Sequence, residues 1–203
     1  MDFPQQIPAS HKSVFEIISK VAATINQPVY IVGGYVRDFY LDRLKKTDPD
    51  LDFVTLGSGI SLAEKVHEAL DGSHLSVFKQ FGTALVKTEK FELEFVGARK
   101  ESYRKNSRKP VVEDGTLEDD QLRRDLTINA LSWSLNKEDF GTLVDPFGGI
   151  QDLKKKIIRT PIDPLQTFDD DPLRMLRTIR FATQLNFEIE QKTYDAISEM
   201  APR

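Results

Sequence analysis

The amino-acid sequence predicts an α+β fold in which short strands alternate with helices and a purely helical run follows. Three observations lead there. An apolar helical pattern stops at Pro28, and the tetrapeptide Val29 to Val32 then reads as a buried strand that ends at Gly33-Gly34. Further on, Phe91, Leu93 and Phe95 alternate with Glu92 and Glu94, the period of a half-buried strand. From Asp163-Pro164 onward the apolar spacing is helical only.

Taken in order, Val14, Ile17, Ile18, Val21 and Ile25 place a helix over Ser10 to Ile25. Tyr35 to Leu44 is helical in pattern, Lys45 to Pro49 is a loop, Leu51 to Leu56 a strand, and Ser61 to Leu70 a helix. Strands are expected near Leu75–Phe78, Ala84–Thr88 and Phe91–Val96. Arg99 to Asp120 shows no periodicity and reads as a long mobile loop, made locally basic by Arg99, Lys100, Arg104, Lys105, Arg108 and Lys109. Order resumes from Gln121 to Leu135, and Asp145-Pro146-Phe147-Gly148-Gly149 forms a turn. A helical region runs through Asp171 to Leu185, and a last helix covers Gln191 to Met200. Asp171 is expected to open its helix with Pro172 at the first helical position. Arg174, Arg177 and Arg180 then form one stripe, and Leu173, Leu176 and Ile179 another that faces the core. The chain stops at Ala201-Pro202-Arg203 as this helical part gets under way, so a fragment is expected.

Composition narrows the chemistry. With 203 residues and 39% apolar side chains, the chain can bury a sizeable core. It has no cysteine and three scattered histidines, which leaves oxygen ligands for any metal and points to Mg2+. The start, Met1 to Gln5, lacks the pattern of a signal peptide, and no stretch approaches the ~20 apolar residues of a membrane helix. The expectation is a soluble, cytoplasmic protein with no membrane partner. A net charge of −4 gives no overall attraction to nucleic acid.

Asp50-Leu51-Asp52 opens a strand, so its two carboxylates share a face, roughly 6–7 Å apart. Such a pair suits a two-metal site that activates a hydroxyl and stabilises a leaving pyrophosphate. Read alone, it better suits an acidic pair in a loop that is merely solvated. Upstream, Gly33 and Gly34 lie between a strand and a helix, where backbone N–H groups approach phosphate, and Arg37 sits one turn into that helix. Asp38 is placed to hold Arg37 or to join the acidic cluster. The two features together read as a phosphate cradle beside a metal site.

Residues 31–55, from Ile31-Val32-Gly33-Gly34-Tyr35-Val36-Arg37-Asp38 to Asp50-Leu51-Asp52-Phe53-Val54-Thr55, resemble the signature of the class II nucleotidyltransferases. These belong to the DNA polymerase β-like superfamily and include CCA-adding enzymes and bacterial poly(A) polymerases. The resemblance implies that Asp50 and Asp52 are metal ligands in a two-Mg2+ site, and that Gly34 and Arg37 bind nucleotide. Superfamily members often carry a third carboxylate on a neighbouring strand; Glu94 is the candidate, and an ordinary exposed strand residue is the other reading. Arg123-Arg124-Asp125-Leu126-Thr127-Ile128-Asn129-Ala130-Leu131 matches the second signature. It implies Arg124 as a nucleotide ligand, with Asp125 and Asn129 in support. The turn at Asp145 to Gly149 recurs in the family as a hinge.

The third motif, Asp170-Asp171-Pro172-Leu173-Arg174, is similar to the family's Glu-Asp-x-x-Arg and departs from it at Asp170. A carboxylate only accepts hydrogen bonds and a guanidinium only donates. Cytosine and adenine each present an amino donor beside a ring-nitrogen acceptor, while uracil and guanine reverse that order. An Asp171/Arg174 pair therefore accepts C and A, with the protein as template, and Arg177 and Arg180 face the nucleotide or its phosphates. The shorter Asp170 puts a direct role for that residue in doubt.

The resemblance implies a mixed, largely antiparallel sheet with flanking helices over residues 1–150, a nucleotidyltransferase head. Residues 151–203 begin an all-helical neck. The implied reaction transfers CMP or AMP from CTP or ATP to the 3′ end of tRNA. An A-adding, CC-adding or poly(A) enzyme shares the motifs, and a nucleotide-binding regulatory module is the non-enzymatic alternative. The family's main tRNA-gripping domains are absent from this sequence, so weak tRNA binding is expected. In the family, a flexible loop at the place of Arg99 to Asp120 adjusts the pocket between additions.

Overall fold

The computed structural model describes residues 7–44, 50–103 and 110–202. Along the chain these form α1 (Ala9–Thr24), β1 (Val29–Val32), α2 (Gly34–Tyr40), β2 (Asp50–Thr55), α3 (Gly59–Ala69), β3 (His74–Phe78), β4 (Thr83–Lys87) and β5 (Glu92–Gly97). There follow β6 (Arg99–Tyr103), β7 (Pro110–Asp114), α4 (Leu117–Leu122), β8 (Ser132–Ser134), β9 (Leu143–Val144), α5 (Gly149–Lys155) and β10 (Ile157–Ile158). The last elements are α6 (Pro164–Asp170), α7 (Leu173–Leu185), β11 (Glu188–Ile189) and α8 (Gln191–Met200). Two compact units result: residues up to Ala98 with Ser132–Val144, and Arg99–Leu131 with Asp145 onward. Among the described residues no helix is long and apolar enough to cross a membrane.

The first unit is a seven-stranded sheet in the order β3-β4-β5-β2-β1-β8-β9. Every pairing in it is antiparallel except β2 with β5. The mixed, largely antiparallel sheet with flanking helices is therefore present. Strand alternation decides what faces inward. Leu51, Phe53, Leu93 and Phe95 are fully buried, and the Phe53 and Phe95 rings stack 5.0 Å apart across the β2–β5 register. Phe15 of α1 meets Phe53 edge-on at 6.2 Å, and Leu62, Ala63 and Val66 of α3 complete the layer. The helix expected to reach Leu44 ends at Tyr40. Two phenylalanines, Phe78 and Phe81, stand exposed at the β3–β4 turn.

The second unit corrects two expectations. The stretch Arg99 to Asp120, expected as a mobile loop, contains the antiparallel ribbon β6–β7 and the start of α4. In register, Arg99 lies opposite Asp114 and Lys100 opposite Glu113, so residues of opposite charge rather than an apolar alternation face one another across the ribbon. A capping box starts α4: the Thr116 hydroxyl accepts from Asp119 N–H at 3.1 Å, and the Asp119 carboxylate accepts from Thr116 N–H at 2.9 Å. The basic residues Arg104, Lys105, Arg108 and Lys109 lie outside the described residues.

The second correction concerns α7. Leu173, Leu176 and Ile179 are exposed, Leu176 by 63%, and the buried side carries Arg174, Met175, Thr178, Phe181 and Leu185. Spacing alone cannot say which of two stripes faces inward. Packing does, because Met175 joins Phe168 of α6 and Ala196 of α8 in one cluster. The helical region is also interrupted, since Asp171 is extended (φ −149°, ψ 104°) and separates α6 from α7. A two-residue parallel pairing of β10 with β11 lies within the stretch expected to be all-helical.

His11 is buried on α1, with its Nδ1 2.9 Å from the Tyr35 hydroxyl and its ring edge-on to Phe91 at 5.4 Å. Burial lowers its pKa from the ordinary value near 6.5, because the charged ring loses its hydration. The unfolded chain then takes up a proton that the folded chain resists, and stability falls as pH drops below about 6.5. The melting temperature is expected to decline over that range. His11→Phe should flatten the decline whatever its offset at neutral pH, as thermal melts across the pH series would show.

Candidate active site

The first unit presents the acidic residues. Because Leu51 and Phe53 fill the core, Asp50 and Asp52 stand exposed on the opposite face of β2. The parallel register sets Asp50 beside Glu92 and Asp52 beside Glu94. Glu92 is paired with Lys87 of β4. Glu94 has its pKa raised, first by partial burial and then by the negative charge of Asp52. Asp52 and Glu94, both singled out from sequence, thus lie side by side in register. Among the described residues no group of three or more acidic or histidine side chains is gathered as a ready metal cage. The donor set itself, hard carboxylate oxygens on an exposed strand face, suits Mg2+ better than a softer ion.

In the same unit Gly33 caps α2 with φ 70° and ψ −125°, a conformation that glycine adopts without strain. Gly34 follows, with a Cβ position 3.6 Å from the Arg37 guanidinium. Arg37 is buried and forks onto the carboxylate of Asp38, with bonds of 2.8 and 3.0 Å. Asp38 thus takes the first of its two expected roles and holds the arginine in place.

The second unit joins the second and third motifs. Asp125 Oδ1 accepts from its neighbour Leu126 N–H at 2.9 Å and from Asn129 Nδ2 at 3.1 Å, and its Oδ2 accepts from Arg177 Nε at 2.6 Å. Both oxygens of Asp125 therefore engage protein, and Arg177 of α7 is tied to it. Arg124 follows α4 and donates to Asp120 and to the Asn129 carbonyl. Arg174 is buried, while Arg180 is exposed with its guanidinium 4.7 Å from the Phe181 ring centre. The three arginines of the expected stripe thus occupy three different surroundings. Asp171 accepts from Leu173 N–H at 3.1 Å, and its carbonyl accepts from Arg174 N–H at 3.0 Å. Asp170 has its pKa raised by burial against the opposing pull of Arg174, with Glu101 adding to the rise.

Several side chains escaped the sequence reading. Asp120 precedes Arg123 and Arg124 by one helical turn, a spacing that could have revealed it. Asp152 accepts from Thr127 Oγ1 at 2.6 Å and from Arg159, and so docks α5 against the Thr127–Asn129 turn. Gly149 sits so close to that turn that a Cβ would fall 2.4 Å from the Thr127 carbonyl oxygen. Asp145 caps α5 through the N–H groups of Gly149 and Ile150. These contacts explain the Asp145 to Gly149 motif as a packing device beneath the second signature.

Comparison with known proteins decides the family. Residues 29–159 match the poly A polymerase head domain. The chain belongs to this head-domain family. It is 46% identical over 164 residues to the A-adding tRNA nucleotidyltransferase of Aquifex aeolicus, covering 81% of this chain and 19% of that protein. A tRNA nucleotidyltransferase solved with a primer tRNA and an incoming ATP analog superposes with a TM-score of 0.78 at 39% identity, covering 91% of this chain and 50% of that one. A CCA-adding enzyme solved with CTP gives 0.82 at 33% identity, covering 98% and 43%. The head-domain chain thus spans half or less of the length of these relatives.

Asp125 and Arg177 make a further test. Arg177→Ala removes an ion pair whose arginine is half exposed, and is expected to cost less than about 1 kcal/mol. Asp125→Ala strips three hydrogen bonds from a buried carboxylate and should cost about 1–3 kcal/mol. Urea denaturation of the two variants measures the difference, and equal losses would show that Arg177 carries the contact.

Proposed function

We propose that this protein is a template-independent nucleotidyltransferase that adds CMP and AMP from CTP and ATP to the 3′ end of tRNA, in the cytoplasm. On this reading residues 1–150 are the catalytic head and residues 151–203 open a helical neck. The observation that carries the reading is the pair Asp50 and Asp52 on the exposed face of β2 in a chain of the head-domain family. Asp50 and Asp52 would hold Mg2+, and Glu94 would join them. When bound, the metal supplies Lewis-acid activation of the attacking hydroxyl and neutralises phosphate charge.

The chain's own groups do the rest. Gly33 and Gly34 let the backbone approach the triphosphate, and Arg37 and Arg124 give it charge-assisted hydrogen bonds. Asp125 orients Asn129 and Arg177 around the nucleotide. Asp171 accepts from the exocyclic amino group of C or A, and Arg174 donates to the adjacent ring nitrogen. Arg180 serves the phosphates. A second reading, addition of AMP alone, is favoured by the A-adding name of the Aquifex aeolicus relative at 46% identity.

Incorporation of labelled nucleotides into tRNA lacking its terminal CCA, and into tRNA ending in CC, tests both. With magnesium, CMP and AMP are expected on the first substrate and AMP on the second. Only the second substrate should react if AMP alone is added. Asp52→Ala should lower incorporation about a thousandfold or more, and Asp171→Ala should erase the preference for C and A. Equal incorporation of UMP and GMP by the unmodified protein would sink the template reading.

A further inference from the structure

Asp120 is the most enclosed carboxylate of the second unit, with no exposed surface. Each of its oxygens receives one arginine. Oδ1 accepts from Arg123 through Nε at 3.0 Å and through a second, closer guanidinium nitrogen. Oδ2 accepts from Arg124 through Nε at 3.2 Å and Nη2 at 3.0 Å. Arg123 has another acidic neighbour, since its Nη1 lies 3.4 Å from the Glu101 carboxylate on β6. Arg99 lies 2.8 Å from the same carboxylate without the alignment of a hydrogen bond. Among the described residues, the further acceptor beside Arg124 is the neutral Asn129 carbonyl, at 3.4 Å from its Nη1.

Burying one carboxylate between two guanidiniums has a physical consequence. Its single negative charge is shared, and Glu101 supplies a second anion that lies beside both Arg123 and Arg99. Three arginines around Asp120 and Glu101 leave the cluster net positive, and Asp120 fixes the plane of the Arg124 guanidinium along its Nε–Nη2 edge. A guanidinium held in this way keeps its remaining N–H groups aimed in one direction and loses little rotamer freedom when an anion arrives. We infer that Asp120 is the positioning residue for Arg124, presenting it in advance to the anionic phosphates of a nucleoside triphosphate. Through Arg123 and Glu101 the ribbon β6–β7 is tied to the same carboxylate. The inference rests on the proposed role of Arg124 as a nucleotide ligand.

The test is a titration of the 203-residue chain with ATP and with CTP, carried through a double-mutant cycle of Asp120→Asn and Arg124→Ala. Asparagine keeps the size of Asp120 but removes the charge and one acceptor site. Asp120→Asn is expected to weaken nucleotide binding about tenfold, the order of a charge-assisted contact. On the Arg124→Ala background it should weaken binding no further, because Asp120 acts through Arg124. A merely structural role predicts a lowered melting temperature with unchanged affinity of the folded fraction, or losses that multiply in the double variant. Either result overturns the inference. Glu101→Gln, which loosens Arg123 alone, should weaken binding less than Asp120→Asn, and the reverse order also counts against it. If Arg124→Ala leaves binding intact, or the unmodified chain binds neither nucleotide, the role of Arg124 fails first and the inference with it. Weakened binding in Arg124→Ala but not in Asp120→Asn refutes the positioning role alone.

Discussion

The two parallel strands β2 and β5 set the terms for the rest of the head. Leu51, Phe53, Leu93 and Phe95 are fully buried on one face, and their stacking holds the register in which Asp52 lies beside Glu94. A one-residue slip of either strand would turn carboxylates into the core and phenylalanines into solvent. Burying an unpaired carboxylate costs several kcal/mol, so the aromatic layer beneath is what places the acidic residues above. Repulsion between Asp52 and Glu94 is the other side of this arrangement. After partial burial, it is the second cause of the raised pKa of Glu94, and a bound cation would relieve it.

The second unit solves a different problem, the placement of cations. Its arginines are long and flexible, and several are met by a carboxylate. Arg177 meets Asp125, Arg123 and Arg124 meet Asp120, and Arg159 meets Asp152. Such pairs add little net stability once desolvation is counted, but they select one geometry among many. Beneath them, Gly149 and the Asp152–Thr127 contact bring α5 against the turn that carries Asn129. A side chain at position 149 would push that turn away, and Asp125 and Asn129 with it.

Much of this was legible in the sequence. Strand alternation around Phe91 to Phe95 and the Gly33-Gly34 break located the sheet and the turn into α2, because both patterns follow from backbone geometry. The ribbon β6–β7 escapes a reading by periodicity because the residues that face one another, such as Arg99 with Asp114 and Lys100 with Glu113, carry no apolar period. The face of α7 was misjudged for another reason. Arg174 is a charged residue on the buried side, and Leu173, Leu176 and Ile179 are apolar residues on the exposed one. Helical spacing identifies stripes, whereas burial depends on what α6 and α8 bring to the contact. Asp120 is hard to single out because the run Glu118-Asp119-Asp120 before two arginines looks like an ordinary helix surface until its burial is known.

The inversion on α7 bears directly on how a base would be read under the proposed function. The Asp171 carbonyl accepts from Arg174 N–H, so the backbones of the two residues are locked within one tight turn. Asp171 is further pinned through Leu173 N–H, and Arg174 lies buried rather than waving in solvent. The order of acceptor and donor is then set by backbone geometry and not by two independent side chains. In such surroundings a base of the wrong pattern sets donor against donor and acceptor against acceptor. A buried guanidinium left unpaired costs about 1–3 kcal/mol, so under the proposed function Arg174 penalises the wrong pattern more than a solvated arginine would. Under the proposed function, the burial of Arg174 on this helix is what sharpens the selection of C and A.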